Sequence, residues 1–274
     1  MNSALVIARK EFRDGLRNKW VAAITLLLAA LAFALTFIGS SPTGLLEAKP
    51  LAVTVVSISS LTIFLIPLIA LLLGYDAIVG EHERGCLLLM LTYPVSRLEI
   101  VVGKFLGQAT ILALATLLGY GTAGAAAAAM NGADAESMLA FVGLTISTIL
   151  LGLSFLALAY LISVLVRERG TAAGMAVGVW LFFVIVYDLA LMGGLVASQG
   201  RIGASVFPNL LLLNPADTYR LFNLTAFEGI RQFSGMAGLS ASVHFAPLVL
   251  LAVLLAWVAI PLSLAARLFE RREA

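Results

Sequence analysis

The chain has 274 residues, of which 61% are hydrophobic and 12% charged, with a mean hydropathy of +1.05. A soluble domain of this size would need far more surface charge, so the composition indicates that lipid is part of its solvent. The net charge of +2 is too small to indicate nucleic-acid binding. The single cysteine, Cys86, excludes a disulfide framework and a CxxC metal or redox motif.

The N-terminal segment, residues 1–19, predicts an amphipathic helix at the membrane surface. Apolar residues recur at helical spacing along one face and charged residues lie opposite, as shown by Leu5, Ala8, Phe12 and Leu16 against Lys10, Arg13, Asp14 and Arg17. The alternative is a basic flank that only sets the orientation of the next segment.

Six stretches reach the length of about 20 apolar residues that crosses a bilayer. They are residues 20–39, 53–75, 105–130, 138–166, 171–197 and 246–266. Thirteen of the seventeen Lys and Arg lie in segments that would share one side of the membrane: the N-terminal tail, residues 76–104, residues 167–170 and the C-terminus. We therefore predict an all-α protein with six transmembrane helices and both termini in the cytoplasm.

The segment 76–104, between the second and third predicted spans, is unusually charged. Gly85 is placed to end one short helix, a second is predicted near residues 87–93, and Pro94 breaks it. Ser96-x-x-Glu99 is a capping box that starts the helix of the third span. This arrangement predicts a small elbow that contacts a soluble partner, with an ordinary reversal loop as the alternative. The candidate contact residues are Glu81, Glu83, Arg84, Leu87, Leu88 and Leu91.

Three glycines at the start of the fifth span, Gly170, Gly174 and Gly178, lie four residues apart. Glycines at this spacing share one helix face and allow a second backbone to approach closely. The pattern predicts tight helix packing, and the sequence leaves open whether the partner helix is in the same chain or in a second copy. Asp188, further along the same span, is costly in lipid and is therefore a candidate for a transport path or for a structural ion pair.

The long connection 198–245 is expected on the outer side and is too apolar for a free loop. Asn214 as N-cap and Pro215 at the first helical position predict a helix that continues to about Gln232. We expect short outer helices at the membrane surface that form a docking surface or a gate. The candidate residues are Leu212, Asn214, Asp217, Tyr219, Arg220 and Phe222.

Enzymatic motifs are missing from the sequence. There is no GxxxxGK[ST] phosphate loop and no HExxH. An intramembrane hydrolase built from Ser154, Asp188 and His244 would need a GxSxG-like nucleophile motif, which is also missing. Methionines near the outer side are too scattered to form a copper site. The prediction is a chain with no catalytic residues and no metal ligands of its own.

Several stretches together resemble the ABC-2 class of exporter permeases: ARKEFRDGLRNKW, GEHERGCLLLMLTYPVSRLEIVVGKFLG and NPADTYR. A narrower resemblance, to permeases that serve copper-site maturation of nitrous-oxide reductase in denitrifying bacteria, rests on LLLGYDAIVGE, GKFLG and LLLLNPADTYRLFNLTAFEG. Cys86 departs from the class, which usually has Thr at this position. The resemblance covers nearly the whole chain.

The resemblance implies one permease domain over residues 1–274 with the architecture of type V exporters. It would comprise an interfacial helix (1–19), a coupling segment (76–104) that docks on an ATPase, and a periplasmic segment (198–245). It further implies a homodimer in the bacterial inner membrane with a NosF-like cytoplasmic ABC ATPase, which binds ATP and Mg, and a NosD-like periplasmic protein. An exporter of a drug, lipid or polysaccharide and a non-transporting membrane scaffold are the alternatives.

Overall fold

A computed structural model describes residues 3–17, 19–39, 50–87, 92–131, 135–197, 207–225 and 245–271. The described residues form helices joined by turns. These helices are α1 (Ser3–Arg17), α2 (Lys19–Gly39), α3 (Pro50–Gly74), α4 (Val79–Glu83), α5 (Arg97–Asn131), α6 (Ala135–Leu165), α7 (Arg169–Leu181), α8 (Tyr187–Ala197), α9 (Phe207–Leu211), α10 (Pro215–Thr225) and α11 (Pro247–Arg271). A π-helical turn, Phe182–Val186, joins α7 to α8.

Five segments of the described chain are long and apolar enough to cross a membrane. They are Val55–Glu83, Arg97–Ala126, Met138–Leu165, Arg169–Ala197 and Pro247–Arg271, and α2 adds the shorter apolar stretch Ala23–Leu35. Each lies within one of the six stretches predicted from the sequence or overlaps it closely. The structure is therefore a multi-pass bundle of long helices, with α6 packed at its centre against α3 and α11.

The two ends of the bundle differ in composition. One end, called here the α1 end, holds α1, α4, and the charged starts of α5 and α7. The last turn of α11 is tied to it, because Arg97 Nη1 donates to the carbonyl of Phe269 at 3.0 Å. The opposite end, called the α10 end, holds α9 and α10. All the charged candidate residues of segment 76–104 thus lie at one end.

Helix boundaries follow the local signals in the sequence. The capping box at Ser96 is confirmed: Ser96 N–H donates to Glu99 Oε2 at 2.9 Å, and Glu99 N–H donates to Ser96 Oγ at 3.2 Å. This cap starts α5 well before the apolar stretch predicted as the span. Gly85, after the end of α4, has φ +70°, which favours glycine. The predicted helix near residues 87–93 falls mostly outside the described residues.

The outer connection lies deeper than expected. We predicted short helices at the membrane surface, but α10 is buried between α6, α11, α3 and the π turn. Its N-cap is confirmed, since the Ala216 N–H donates to Asn214 Oδ1 at 2.9 Å. The helix is described as far as Thr225, so its predicted extension to about Gln232 lies outside the described residues.

Candidate functional site

A buried lysine joins three helices at the α1 end. Lys104, on α5, is 3% exposed, and its Nζ lies 2.8 Å from Glu11 Oε1 on α1 and 2.7 Å from Glu81 Oε1 on α4. An ammonium group buried to this degree needs such partners, because desolvation without them is costly. The second oxygen of Glu81, Oε2, is buried and has no hydrogen-bond partner among the described residues.

Two glycines on α5 bring α1 close enough for this contact. A Cβ added to Gly103 would lie 2.7 Å from the carbonyl oxygen of Ala4, and one added to Gly107 would lie 2.5 Å from Glu11 Cβ. Side chains at these positions would therefore push α1 away. No role was predicted from the sequence for Lys104 or for either glycine, although GKFLG carries the same four-residue glycine spacing as residues 170–178.

Helix α4 is held from two further directions. Ser163 Oγ, near the end of α6, accepts the N–H groups of Ile78 and Val79 at 3.0 and 3.1 Å. Glu83 Oε1 accepts the backbone N–H of Arg169, at the start of α7, at 2.7 Å. Ser163 and Arg169 were also missed, because nothing local in the sequence pairs them with residues more than 80 positions away.

A polar cavity of about 360 Å³ lies beside this cluster. It is lined by α1, by α4, by the end of α3 and by α5, with acidic residues Glu11, Asp14, Asp76 and Glu81 and basic residues Lys10, Arg84 and Lys104. The described part of the chain has no group of three or more His, Cys, Asp or Glu able to hold a metal ion. The lining of the cavity includes Lys104 with both of its paired carboxylates, Glu11 and Glu81.

The predicted contact residues of the charged segment lie in different environments. Glu81 and Glu83 were expected to bond directly with a partner, but both carboxylates are engaged within the chain. Arg84 is exposed. Leu87 was expected to fill a partner's groove, but it is 6% exposed and packs in the chain's own core. Leu88 and Leu91 lie outside the described residues.

A second polar network lies at the α10 end. Arg220 Nη1 lies 3.0 Å from Asp188 Oδ2 on α8 and 2.9 Å from Asp217 Oδ1 on α10. Asn214 Nδ2 donates to Asp217 Oδ2 at 2.9 Å and to the carbonyl of Phe183 at 2.8 Å. Asp188 thus has the structural ion pair that the sequence allowed, with Arg220 as its partner.

The carbonyl of Phe183 belongs to the π turn between α7 and α8. A π turn departs from the regular α-helical hydrogen-bonding pattern, and here Asn214 donates to one of its carbonyls. The next turn is tied as well, because the Tyr187 hydroxyl donates to the Leu210 carbonyl at 2.6 Å. The π turn and the loop before α10 therefore hold each other in place.

Most of the predicted docking or gate residues are buried inside the chain. Asn214, Asp217, Tyr219 and Phe222 are at most 4% exposed, whereas Leu212 and Arg220 are half-buried. Tyr219 OH lies 3.1 Å from Thr148 Oγ1 of α6. The buried residues position α10 and do not present a contact surface.

The glycine face of α7 is open. Gly170, Gly174 and Gly178 are exposed, and a Cβ added to any of them would meet nothing within 4 Å. Only 11% of the apolar stretch within Arg169–Ala197 is buried, against 56–67% for the apolar stretches of the spans that contain α3, α5 and α6. Among the described residues this face does not pack within the chain.

The hydrolase alternative gains no support from the position of its serine. Ser154 is buried on α6, and its hydroxyl donates to the Leu150 carbonyl at 2.8 Å and lies 3.2 Å from the Leu254 carbonyl. Asp188 is paired with Arg220, and His244 lies outside the described residues.

Comparison with known proteins defines the class. A model of the ABC-2 family transporter proteins matches residues 5–274, so the chain belongs to the ABC-2 family of membrane transporters. It is 48% identical over 274 residues to the probable ABC transporter permease protein NosY of Stutzerimonas stutzeri, covering 99% of each chain. It is 47% identical over 268 residues to the protein of the same name in Pseudomonas aeruginosa, covering 97% of each. Permease subunits have no ATPase activity, so hydrolysis belongs to a partner ATPase.

Proposed function

We propose that the chain is the permease of an ABC transporter needed for copper-site maturation of nitrous-oxide reductase. The observation that carries this proposal is the near full-length similarity to two proteins named NosY, at 47–48% identity. A NosF-like cytoplasmic ATPase would bind ATP and Mg and supply the energy. A NosD-like periplasmic protein would receive the output, either a transported sulfur species or a mechanical signal that gates copper transfer.

The α1 end is proposed to face the cytoplasm and to contact the ATPase through α4. The basic residues of the N-terminal tail, of segment 76–104 and of the C-terminus support this orientation. In this arrangement α2 is a sixth span, and the chain is a single permease domain of the type V exporter architecture with α1 as its interfacial helix. The bonds of Glu81 and Glu83 within the chain would hold α4 rigidly, and exposed side chains such as His82 and Arg84 would touch the partner.

We further propose that two copies of the chain associate through the open face of α7. Exposed glycines leave room for a second backbone, and the adjoining exposed side chains Val177 and Phe182 are apolar. A homodimer would bring the two α7 helices to the centre of the assembly, where a path between the copies could open.

The α10 end is proposed to form the periplasmic docking surface or gate. Leu213 is 59% exposed beside the half-buried Leu212, so the loop before α10 offers an apolar surface at this end. Asp188 lies on α8, which continues from the proposed dimer face, and would border a transport path between two copies. The polar network behind the loop would set its position.

Co-purification tests the proposal. The chain is expressed with the neighbouring ATPase and purified in detergent, and the amount of ATPase retained per permease is measured. We expect stoichiometric retention by the parent chain and by the control Arg271→Glu, and reduced retention by Arg84→Glu, which reverses an exposed charge on the proposed contact. A parent chain that retains no ATPase would contradict the coupling role and favour a scaffold.

A further inference from the structure

Arg169, the first residue of α7, is held in two ways by residues 75–83, which follow α3 and include α4 and are called here the α3–α4 corner. Its backbone N–H donates to Glu83 Oε1 at 2.7 Å, and its Nη2 lies 2.8 Å from Asp76 Oδ2. The guanidinium also passes beside α4, because a Cβ added to Gly80 would lie 3.4 Å from Arg169 Nε. Both the backbone and the side chain of one residue are therefore fixed to the same corner.

The corner itself is firmly attached to the rest of the bundle. Ser163 accepts the N–H groups at the start of α4, and Glu81 pairs with Lys104 on the side that faces α1 and α5. Glu81 and Glu83 are two residues apart, so on a helix they point to different sides. Helix α4 thus bonds to α5 through Glu81 and to α7 through Glu83.

Helix α7, by contrast, makes few other contacts within the described chain: Ala172 and Ala176 are buried, and near its end Trp180 Nε1 donates to the Phe64 carbonyl of α3 at 3.0 Å. Only 11% of the apolar stretch within Arg169–Ala197, the span that α7 begins, is buried, and the glycine face of α7 is open. Packing contacts with α3 and α6 remain, but in the first turn of α7 the polar contacts to the α3–α4 corner are those of Arg169. A displacement of the corner would therefore act on α7 chiefly through this residue.

We propose that Arg169 is a positioning residue that transmits movement of α4 to α7 and so to the open glycine face. The inference rests on the proposed function, in which an ATPase moves α4. When α4 shifts, the Glu83 and Asp76 carboxylates carry the start of α7 with them. Removal of the side-chain contact leaves only the bond from the Arg169 backbone N–H to Glu83, so movement of α4 reaches α7 in weakened form while ATP hydrolysis continues.

The test follows α7 in the complex of the full chain with its ATPase in lipid nanodiscs. A spin label is attached at Met175→Cys, an exposed position nearly two turns along α7, in a Cys86→Ser background. The spectrum is recorded with and without a non-hydrolysable ATP analogue, and ATP hydrolysis and retained ATPase are measured on the same samples. Arg169→Gln and Asp76→Asn each remove one partner of the ion pair between Arg169 and Asp76. Arg169→Lys keeps the positive charge. Arg167→Gln is the control, because Arg167 is an exposed neighbour.

We expect the nucleotide to change the label's mobility in the parent and in Arg167→Gln. The change should be reduced in Arg169→Gln and in Asp76→Asn, where only the Glu83 bond remains, and partly restored in Arg169→Lys, with ATPase retention and hydrolysis unaltered. The double variant Arg169→Gln/Asp76→Asn should show the same nucleotide-induced change as either single variant, since both substitutions remove the same contact. A full nucleotide response in Arg169→Gln or Asp76→Asn would overturn the proposal. A parent that binds the ATPase but shows no response would also overturn it, whereas a parent that binds no ATPase would overturn the proposed function with it.

Discussion

The ammonium group of Lys104 is shared by two carboxylates from different helices. The exposed fractions of the three side chains are 4% for Lys104, 14% for Glu11 and 11% for Glu81. A buried cation between two anions is a weak source of stability as a whole, but the removal of one member leaves unpaired buried charge. The contact therefore constrains how α1, α4 and α5 can be arranged.

Replacement of Lys104 by Met should destabilise the protein by about 3–5 kcal/mol, because Glu11 and Glu81 would face each other without a cation. Lys10→Met is the matched control, since Lys10 is 59% exposed and its two ion pairs are 3.7 Å long, so a loss of about 0–1 kcal/mol is expected. Thermal unfolding in detergent compares the two. Equal melting temperatures for both variants would contradict the role given to Lys104.

The environment of Asp217 at the α10 end predicts that the stability of the protein depends on pH. Burial raises the pKa of Asp217 to about 7, and the nearby carboxylate of Asp188 adds to the rise. A carboxyl group whose pKa is raised on folding stabilises the folded state most at a pH below its ordinary pKa of 3.8. This stabilisation is lost as the pH rises to about 7.

The thermal stability of the parent chain should therefore fall between pH 5 and pH 8, and part of this fall should come from the ionisation of Asp217. Asp217→Asn, which cannot ionise, should show a smaller loss over the same range. The melting temperature at several pH values measures the difference. Identical pH profiles for the two proteins would mean that Asp217 stays ionised throughout.

At the scale of the element, glycines decide which helices approach each other. Gly103 and Gly107 allow α1 to pack closely against α5, and no side chain can be added at these positions without displacing α1. Gly170, Gly174 and Gly178 have the same spacing, but an added Cβ there would meet nothing within 4 Å among the described residues. One glycine motif is thus filled within the chain, and the other is available to a second copy.

Gly174→Leu should weaken the proposed homodimer, because the added side chain occupies the space proposed for the second backbone. Gly121→Leu is the control, since Gly121 on α5 is equally open to an added Cβ. Native mass spectrometry reports the dimer fraction of each variant. If Gly174→Leu stays as dimeric as Gly121→Leu, the α7 face meets lipid instead.

At the scale of the whole molecule, positive charge predicts the orientation. Reporter fusions after Gly170 should report the cytoplasm, and fusions after Ala133 and after Gly235 should report the periplasm. A cytoplasmic signal after Gly235 would remove one span from the predicted six and reverse the side assigned to α10.

The sequence predicted the helices better than it predicted their contacts. Apolar length and local caps, such as Ser96 with Glu99 and Asn214 before Pro215, determine where helices begin. The partners of Lys104, Glu83 and Asn214 depend on residues far along the chain, and no local pattern identifies them. The burial of α10 was also missed, since its mixed composition suits a membrane surface as well as a bundle interior.

The central claim is that this chain acts as the permease in maturation of nitrous-oxide reductase. The most direct test replaces the permease gene of a denitrifying strain by this sequence and measures the copper content of the purified reductase. We predict copper at the level of the unaltered strain, and a copper-deficient reductase when the gene is simply deleted. A copper-deficient reductase in cells whose membranes contain this chain bound to the ATPase would contradict the account and favour export of another substrate.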